Sequence, residues 1–244
     1  MREQDMEYKV NMDMLMRNEN NHFTPTGYQR MVMDVIERHF AWGGADESAL
    51  LAKGVSWVML SMTVEIKDKI TSTEHLTAKT WLSEKNGFIY RRETAFYHED
   101  GTLAFSGATF FAMIDVAKRR ICRNPENYVP EPESYGDMLI EAQSRIKWEA
   151  VPMDKTEKIS VRPSWLDAVG HVNNIRYFEI AYDALSDEER EKMDRLKRFE
   201  MYFIGELHKG ESAEVASLAI GDQTVVVGTR EDGKTSFIEK VYFS

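Results

Sequence analysis

Residues 166–177 read LDAVGHVNNIRY, and residues 17–28 read RNENNHFTPTGY. In both stretches a histidine stands four residues after an Asp or Asn side chain, and a tyrosine stands six residues after the histidine. The matched residues are Asn18 and Asp167, His22 and His171, and Tyr28 and Tyr177. Such self-similarity is typical of a chain that contains one structural unit twice.

An apolar stripe at helical spacing follows each of these frames. It consists of Met31, Val32, Val35, Ile36 and Phe40 in the first copy, and of Ile175, Phe178, Tyr182 and Leu185 in the second. Thr24 before Pro25 marks the start of the first helix. Ser186 and Glu189 form a capping box, which predicts a further short helix through Leu196.

Segments rich in aromatic and β-branched residues follow each helix and predict strands. They are SWVMLSMTVEI (56–66), LTAKTWL (76–82), FIYRRETAFY (88–97), LAFSGATFFAMI (103–114), FEMYFIGEL (199–207), AEVASLAI (213–220), QTVVVGTR (223–230) and TSFIEKVYF (235–243). Asn-Gly, Asp-Gly and Gly-Asp pairs between them favour tight hairpins. An antiparallel sheet buries the whole stripe of a helix only if it curls around that helix. We therefore predict an α+β fold of two tandem hot-dog domains, each a long helix wrapped by an antiparallel β-sheet.

The stretch NPENYVPEPESYGD (124–137) contains three of the six prolines and has no clear periodicity, which is typical of a linker. The predicted domains are residues 1–123 and 147–244, joined by a linker at 124–146. Because Asn18 replaces the acid in the first copy, we expect the first domain to shelter the substrate with a degenerate site. The second domain is then the catalytic one.

The bulk composition excludes several classes of function. A formal net charge of −10 argues against broad binding to nucleic acid. A single cysteine and six histidines without metal-ligand spacing predict neither a disulfide nor a metal site, and we expect no cofactor. Without a long apolar run or a signal-like start, we expect no membrane span and a cytoplasmic location.

The second frame carries the candidate catalytic groups. Asp167 and His171 stand directly before a helix, whose first amides lack intrahelical acceptors and polarise a nearby carbonyl. The carboxylate can attack that carbonyl or activate water, the imidazole can orient water or protonate a leaving group, and Gly170 permits close approach. Alternatively, Asp167 and Asn173 or Asn174 serve only to cap the turn and the helix.

Two further features have both a functional and a structural interpretation. Glu206 falls in a predicted strand of apolar residues, where it would be a desolvated base if it faced inward and an ordinary solvated glutamate if it faced outward. The sequence AKRRICRNP, with Arg119 and Arg120, is the densest basic cluster of the chain. It could receive an acidic partner or a phosphate, although charged residues at a domain end are usually only solvated.

The segments SWVMLSMTVEI, TWLSEKNGFIYRRE, AKRRICRNP, DAVGHVNNIRYFE and GELHKGE, in this order, resemble the acyl-acyl carrier protein (ACP) thioesterase family of plants and bacteria. The resemblance extends over nearly the whole chain and implies tandem hot-dog domains. It also implies hydrolysis of the thioester between a fatty acyl group and the phosphopantetheine of ACP, in fatty acid biosynthesis. By position, it marks Asp167, His171 and Glu206 as catalytic.

The sequence departs from the family pattern at two positions. Val169 stands where the family usually has asparagine, and Leu207 stands where plant members often have cysteine. A cysteine nucleophile is therefore not available at position 207. We expect Asn173 or Asn174 to help hold the acid and water, unless activity is low or altered.

Three rival functions remain at this point. The same site could serve an acyl-CoA thioesterase, or the chain could be an acyl-binding protein without activity. An enoyl hydratase is disfavoured, because its usual motif separates aspartate and histidine by five residues rather than four. The sequence leaves open the preferred acyl chain and whether two copies form a homodimer.

Overall fold

The computed structural model describes residues 6–10, 12, 16–71, 73–129, 134–148, 153, 155–167 and 170–243. The chain divides into two compact units. Unit 1 contains Met1–Asp13 and Met31–Ser144, and unit 2 contains Met14–Arg30 and Arg145–Ser244. The domain boundaries predicted at 123 and 147 stay a prediction. No helix in the described part of the chain combines the length and the apolar character that crossing a bilayer requires.

The strands of unit 1 form one antiparallel sheet. They are β1 (Tyr8–Val10), β2 (Val55–Ile66), β3 (Leu76–Asn86), β4 (Ile89–Tyr97), β5 (Leu103–Asp115) and β6 (Arg120–Ile121). Their order is β1-β3-β4-β5-β2, with β6 paired to β5. The hairpins after Asn86 and Asp100 lie where the Asn-Gly and Asp-Gly pairs predicted them.

Helix α1 (Pro25–Trp42) begins at the predicted proline, and the Gly27 N–H donates to the Thr24 side chain at 3.3 Å. Its apolar stripe is fully buried from Met31 to Ile36. On β5, a Cβ added at Gly107 would lie 3.3 Å from Val32 Cγ2, so the glycine permits the helix to pack closely on the sheet. The short α2 (Glu47–Leu51) follows, capped by the Asp46 side chain.

Unit 2 repeats the arrangement of a helix packed on an antiparallel sheet. Its strands are β7 (Lys155–Ser160), β8 (Leu196–Phe203), β9 (Ser212–Ile220), β10 (Gln223–Arg230) and β11 (Thr235–Phe243), in the order β8-β11-β10-β9-β7. Its helices are α3 (Asn174–Asp183) and α4 (Asp187–Glu191), and the predicted capping box of Ser186 and Glu189 is present at α4. The predicted fold class is confirmed.

Aromatic side chains join α3 to this sheet. The Tyr177 ring lies 5.5 Å from the Phe203 ring and 5.4 Å from the Phe237 ring, both in near-perpendicular contacts. The Phe178 ring packs on Phe199 at 5.8 Å. Such edge-to-face pairs add to the stabilisation from burial and fix the rotation of the helix. The helix therefore holds its first turn at a defined place on the sheet.

The segment after residue 134 lies along the sheet of unit 1. The Gly136 N–H donates to the Leu82 carbonyl at 3.0 Å, and Trp81 Nε1 donates to the Asp137 carbonyl at 2.9 Å. A Cβ added at Gly136 would meet the Trp81 ring at 2.2 Å. This part of the predicted linker is thus fastened to unit 1, whereas residues 130–133 lie outside the described residues.

A buried ion pair strengthens this fastening. Arg91 Nε donates to Glu93 Oε1 at 2.6 Å, and the Ser83 hydroxyl donates to the same oxygen at 2.9 Å. The Leu139 N–H donates to Glu93 Oε2 at 3.3 Å, and Arg91 donates to the Ile140 carbonyl. Because buried charges need such partners, the Arg91–Glu93 pair and the segment after residue 134 stabilise each other.

Three sequence predictions of elements were wrong in detail. The predicted strand 199–207 ends at Phe203, because Ile204 and Gly205 turn back to donate to the Ser236 carbonyl. Helix α3 has 10 residues, so it is not a long helix. The helix predicted through Leu196 ends at Glu191 and continues as a 3-10 turn, after which β8 begins. From the sequence, no residues were assigned to strands β1, β6 and β7.

Candidate active site

Asp167 and His171 form a tight turn directly before α3. The Asp167 N–H donates to the His171 carbonyl at 2.8 Å, and the Gly170 N–H donates to the Asp167 carbonyl at 3.1 Å. The His171 N–H donates to Asp167 Oδ1 at 3.0 Å. Gly170 has φ +82°, which a side chain would disfavour. The turn holds the Asp167 carboxylate beside the backbone of His171. Val169 lies outside the described residues.

The first frame builds the same turn. The Asn18 N–H donates to the His22 carbonyl at 2.9 Å, and the Asn21 N–H donates to the Asn18 carbonyl at 2.9 Å. The His22 N–H donates to Asn18 Oδ1 at 2.9 Å. Unlike a carboxylate, the Asn18 amide also donates, from Nδ2 to the Arg190 carbonyl at 3.3 Å. The group that replaces the acid in this frame therefore has a structural task of its own.

Glu206 and His208 lie against His171. An antiparallel bridge pairs His171 with His208, and the Val172 N–H donates to the Leu207 carbonyl at 2.9 Å. Glu206 Oε1 is 3.4 Å from His171 Nδ1, and Glu206 Oε2 is 3.9 Å from His208 Nε2. The two imidazole rings are 4.7 Å apart and nearly perpendicular. The glutamate thus stands between two histidines that are 37 positions apart in the sequence.

The surroundings of Glu206 decide between its two interpretations. It follows the end of β8 by three residues, and its side chain is 41% exposed. Its carbonyl accepts from Arg230 Nη1 at 3.4 Å. The interpretation as a desolvated, inward-facing base is therefore wrong. Glu206 is a half-exposed carboxylate beyond the strand end, in contact with the less exposed His171.

Asn173 caps α3, as the structural interpretation predicted. Its Oδ1 accepts from the Ile175 N–H at 3.1 Å, its carbonyl accepts from the Arg176 N–H at 2.9 Å, and its own N–H donates to the Trp165 carbonyl at 2.8 Å. Two first-turn amides of the helix are thus already bonded. The N–H of Asn174, the first helical residue, is the first-turn amide that this cap does not use.

Tyr177 is a residue that sequence reasoning placed in the repeat but not in the site. The Leu207 N–H donates to its hydroxyl at 3.0 Å, and Ser236 also bonds to it. Burial raises the pKa of Tyr177 to about 12, so the phenol is neutral at neutral pH. The Ser236 hydroxyl in turn donates to the Gly205 carbonyl at 2.6 Å. These bonds tie the backbone around Glu206 to α3.

Arg119 and Arg120 lie in unit 1, Arg119 in the turn between β5 and β6 and Arg120 at the start of β6. Both are exposed, and Arg119 has φ +51°. Arg120 pairs with Asp115 in the β5–β6 ladder, and Asp115 also forms an ion pair with the neighbouring Lys118 at 2.8 Å. The basic cluster is therefore a solvent-facing feature, as its structural interpretation predicted.

His208 was missed by sequence reasoning. In the sequence, the sole indication of a role for His208 was its position two residues after Glu206. Its pairing with His171 depends on the fold and cannot be seen in the sequence. The nearest ligand atoms of His171, Glu206 and His208 all lie within 4.8 Å of one another, a grouping that could hold a metal ion. The prediction of no metal site considered spacing along the chain, which cannot reveal such a grouping.

Comparisons with known proteins agree with the fold and the order of the motifs. The family described as "Acyl-ACP thioesterase N-terminal domain" matches residues 2–131, and "Acyl-ACP thioesterase C-terminal domain" matches residues 148–236. No curated protein sequence matches the chain at a significant level.

Two solved structures are similar over almost the whole chain. An acyl-ACP thioesterase from Bacteroides thetaiotaomicron superimposes with a TM-score of 0.83 at 21% identity, covering 100% of both chains. The 12:0-ACP thioesterase from Umbellularia californica superimposes with a TM-score of 0.78 at 11% identity, covering 98% of this chain and 96% of the other. Identities this low show only a shared fold. The assignment to a family rests on the two family matches. The chain belongs to the acyl-ACP thioesterase family.

Proposed function

We propose that this chain hydrolyses fatty acyl-ACP at a site formed by Asp167, His171 and Glu206. The observation that carries the proposal is the convergence of two carboxylates on one histidine. Asp167 Oδ1 accepts from the His171 backbone at 3.0 Å, and Glu206 Oε1 approaches His171 Nδ1 to 3.4 Å. All three side chains are only partly buried, so a substrate and water can reach them.

The reaction adds one water molecule across the C–S bond. Asp167 either activates that water or attacks the carbonyl carbon itself, and the product is a free fatty acid. His171 supplies a proton to the leaving phosphopantetheine thiolate, which departs as the thiol of ACP. Glu206 orients the His171 ring and stabilises its protonated form. Both routes require an ionised carboxylate at position 167.

The start of α3 is suited to hold the carbonyl oxygen. Negative charge on this oxygen grows as the carbonyl is attacked, and helix N-termini stabilise such charge. The Asn174 N–H is the candidate donor, since the cap uses those of Ile175 and Arg176. Among the described residues, nothing lies within 4 Å of a Cβ built on Gly170, which leaves room beside the turn.

The departure from the family pattern at position 207 fits this scheme. Leu207 is fully buried and bonded through its backbone to Tyr177 and Val172, so position 207 is a packing position here. Asn173 is engaged as the helix cap, which leaves the Asn174 side chain as the amide proposed to help hold water. Residues 147–244 thus form the proposed catalytic domain, and residues 1–123 the domain that shelters the acyl chain.

Arg119 and Arg120 are proposed to contact the carrier protein. Two exposed cations on a chain with net charge −10 offer a local attraction for an acidic partner. Coenzyme A esters lack that protein surface. A cytoplasmic location and a homodimer are further proposals, and analytical ultracentrifugation tests the second.

The test is a panel of acyl-ACPs of different chain length, each compared with the CoA ester of the same acyl group, with free fatty acid as the readout. We expect hydrolysis of ACP esters and a slower ACP reaction in the variant Arg119→Ala/Arg120→Ala, with an unchanged CoA reaction. The charge-matched control is Arg145→Ala/Lys147→Ala, which removes two other exposed cations. Tight acyl binding without release would support the binding-protein rival, and equal loss on both esters would refute the carrier contact.

A further inference from the structure

Two imidazoles and one carboxylate meet at one place in unit 2. His171, Glu206 and His208 offer a nitrogen, an oxygen and a nitrogen, all within 4.8 Å of one another. Two histidines and a glutamate are a donor set that binds zinc in proteins, where a fourth position is left to water or another ligand. Mixed imidazole and carboxylate donors suit borderline divalent transition metals.

Two of the separations, one at each oxygen of Glu206, are close to those of a tetrahedral site. With metal–ligand bonds of about 2.0–2.1 Å, neighbouring ligand atoms of a tetrahedron lie roughly 3.3–3.4 Å apart. His171 Nδ1 and Glu206 Oε1 are 3.4 Å apart, and His208 Nε2 and Glu206 Oε2 are 3.9 Å apart. Small side-chain rotations would bring all three donors to the distance that one ion requires.

The backbone holds the three residues while their side chains retain room to adjust. The His171–His208 bridge and the Tyr177 hydroxyl fix the two segments, and the His208 N–H donates to Glu211 Oε2 at 2.9 Å. The exposed fraction of the side chains is 15% for His171, 34% for His208 and 41% for Glu206. An ion can therefore reach the group from solvent, and a modest rotamer change can complete the site.

We propose that His171, Glu206 and His208 form a binding site for a divalent transition metal ion, with Zn²⁺ as the probe, and that its occupation inhibits hydrolysis. Coordination engages His171 Nδ1 and a Glu206 oxygen, so neither can assist the reaction. The inhibitory part rests on the proposed function. The binding part does not, because it requires only the geometry of the three side chains.

The binding test uses the full chain after removal of metals with a chelator. Titration with Zn²⁺ by calorimetry should give one equivalent bound, and Co²⁺ should give the visible absorption bands of a low-coordinate site. His208→Asn should weaken binding by about tenfold or more, because it removes a ligand. His75→Asn, which changes an exposed histidine of unit 1, is the matched control and should bind as the wild type does. Absence of one-equivalent binding, or equal affinity in His208→Asn, would overturn the site.

The activity test compares the same variants with and without Zn²⁺. His208→Asn should lose most of the inhibition by Zn²⁺, when the rate of each variant with Zn²⁺ is compared with its own metal-free rate. Wild type and His75→Asn should be inhibited alike. Zinc binding without inhibition would overturn the inhibitory role. A metal-free wild type that hydrolyses no ester would contradict the proposed function, and the calorimetric titration would still decide the metal site.

Discussion

The substitution Asp167→Asn tests the proposed site with a control that the chain itself contains. In the first frame Asn18 occupies the matching position. Its Oδ1 accepts from the His22 N–H at 2.9 Å, as Asp167 Oδ1 accepts from the His171 N–H at 3.0 Å. The variant should therefore keep the turn. At this bond it loses the difference between a charged and a neutral acceptor, about 1 kcal/mol of the free energy of unfolding.

The effect on the reaction should be much larger. A positioned acid or base contributes about 10²- to 10⁴-fold to the rate, and an amide can act neither as a base nor as an effective nucleophile. At about 1.4 kcal/mol per factor of ten, the activation barrier should rise by about 3–5 kcal/mol. This rise of the activation barrier is several times larger than the expected loss in the free energy of unfolding, so unfolding cannot account for the lost activity.

The assay measures free fatty acid released from acyl-ACP under single-turnover conditions. Circular dichroism without denaturant gives the folded fraction of each variant. The reverse change, Asn18→Asp, is the control. It removes the Nδ2 bond to the Arg190 carbonyl and places two acceptors face to face, at a cost of about 1–3 kcal/mol of stability. Its rate per folded molecule should match the wild type. Turnover by folded Asp167→Asn within threefold of the wild type would refute the role of the carboxylate.

Three further variants probe the surroundings. Arg91→Met should cost about 3–5 kcal/mol in urea unfolding by leaving Glu93 buried without its cation, and adding Glu93→Met should recover much of the loss. Burial raises the pKa of Glu239 above its usual value of 4.5, and neither carboxylate oxygen has a partner among the described residues. The stability that the Glu239 carboxyl contributes is present below pH 4.5 and lost as the pH rises through its raised pKa. In urea melts, Glu239→Gln should therefore be more stable than the wild type at about pH 8 and equally stable at about pH 4. Tyr177→Phe leaves the Leu207 N–H buried without an acceptor, which should cost about 1–3 kcal/mol of the free energy of unfolding. Because Tyr177 ties the backbone around Glu206 to α3, the variant should lower kcat more than it raises KM. Unchanged kinetics would contradict this role of Tyr177.

The repeat, the helix starts and the hairpin turns could be read from the sequence because each depends on a few neighbouring residues. The capping box of Ser186 and Glu189 closes within four positions, and the Asn86-Gly87 turn needs only a residue that tolerates positive φ. The position of Glu206 could not be read in this way. An apolar run continues past the true end of β8, and only the bonds to Ser236 on another strand end it.

The sequence by itself determined two helix-and-sheet units and placed Asp167 and His171 in one turn, since periodicity and local hydrogen bonds act over a few residues. The tertiary structure decided which side chains meet them. His208 reaches His171 only because the segment after β8 pairs with the residues before α3, at a separation of 37 positions that no local pattern encodes. Contacts of that kind depend on how α3 packs on its sheet, which is set by the burial of Tyr177 and Phe178 rather than by the residues that meet.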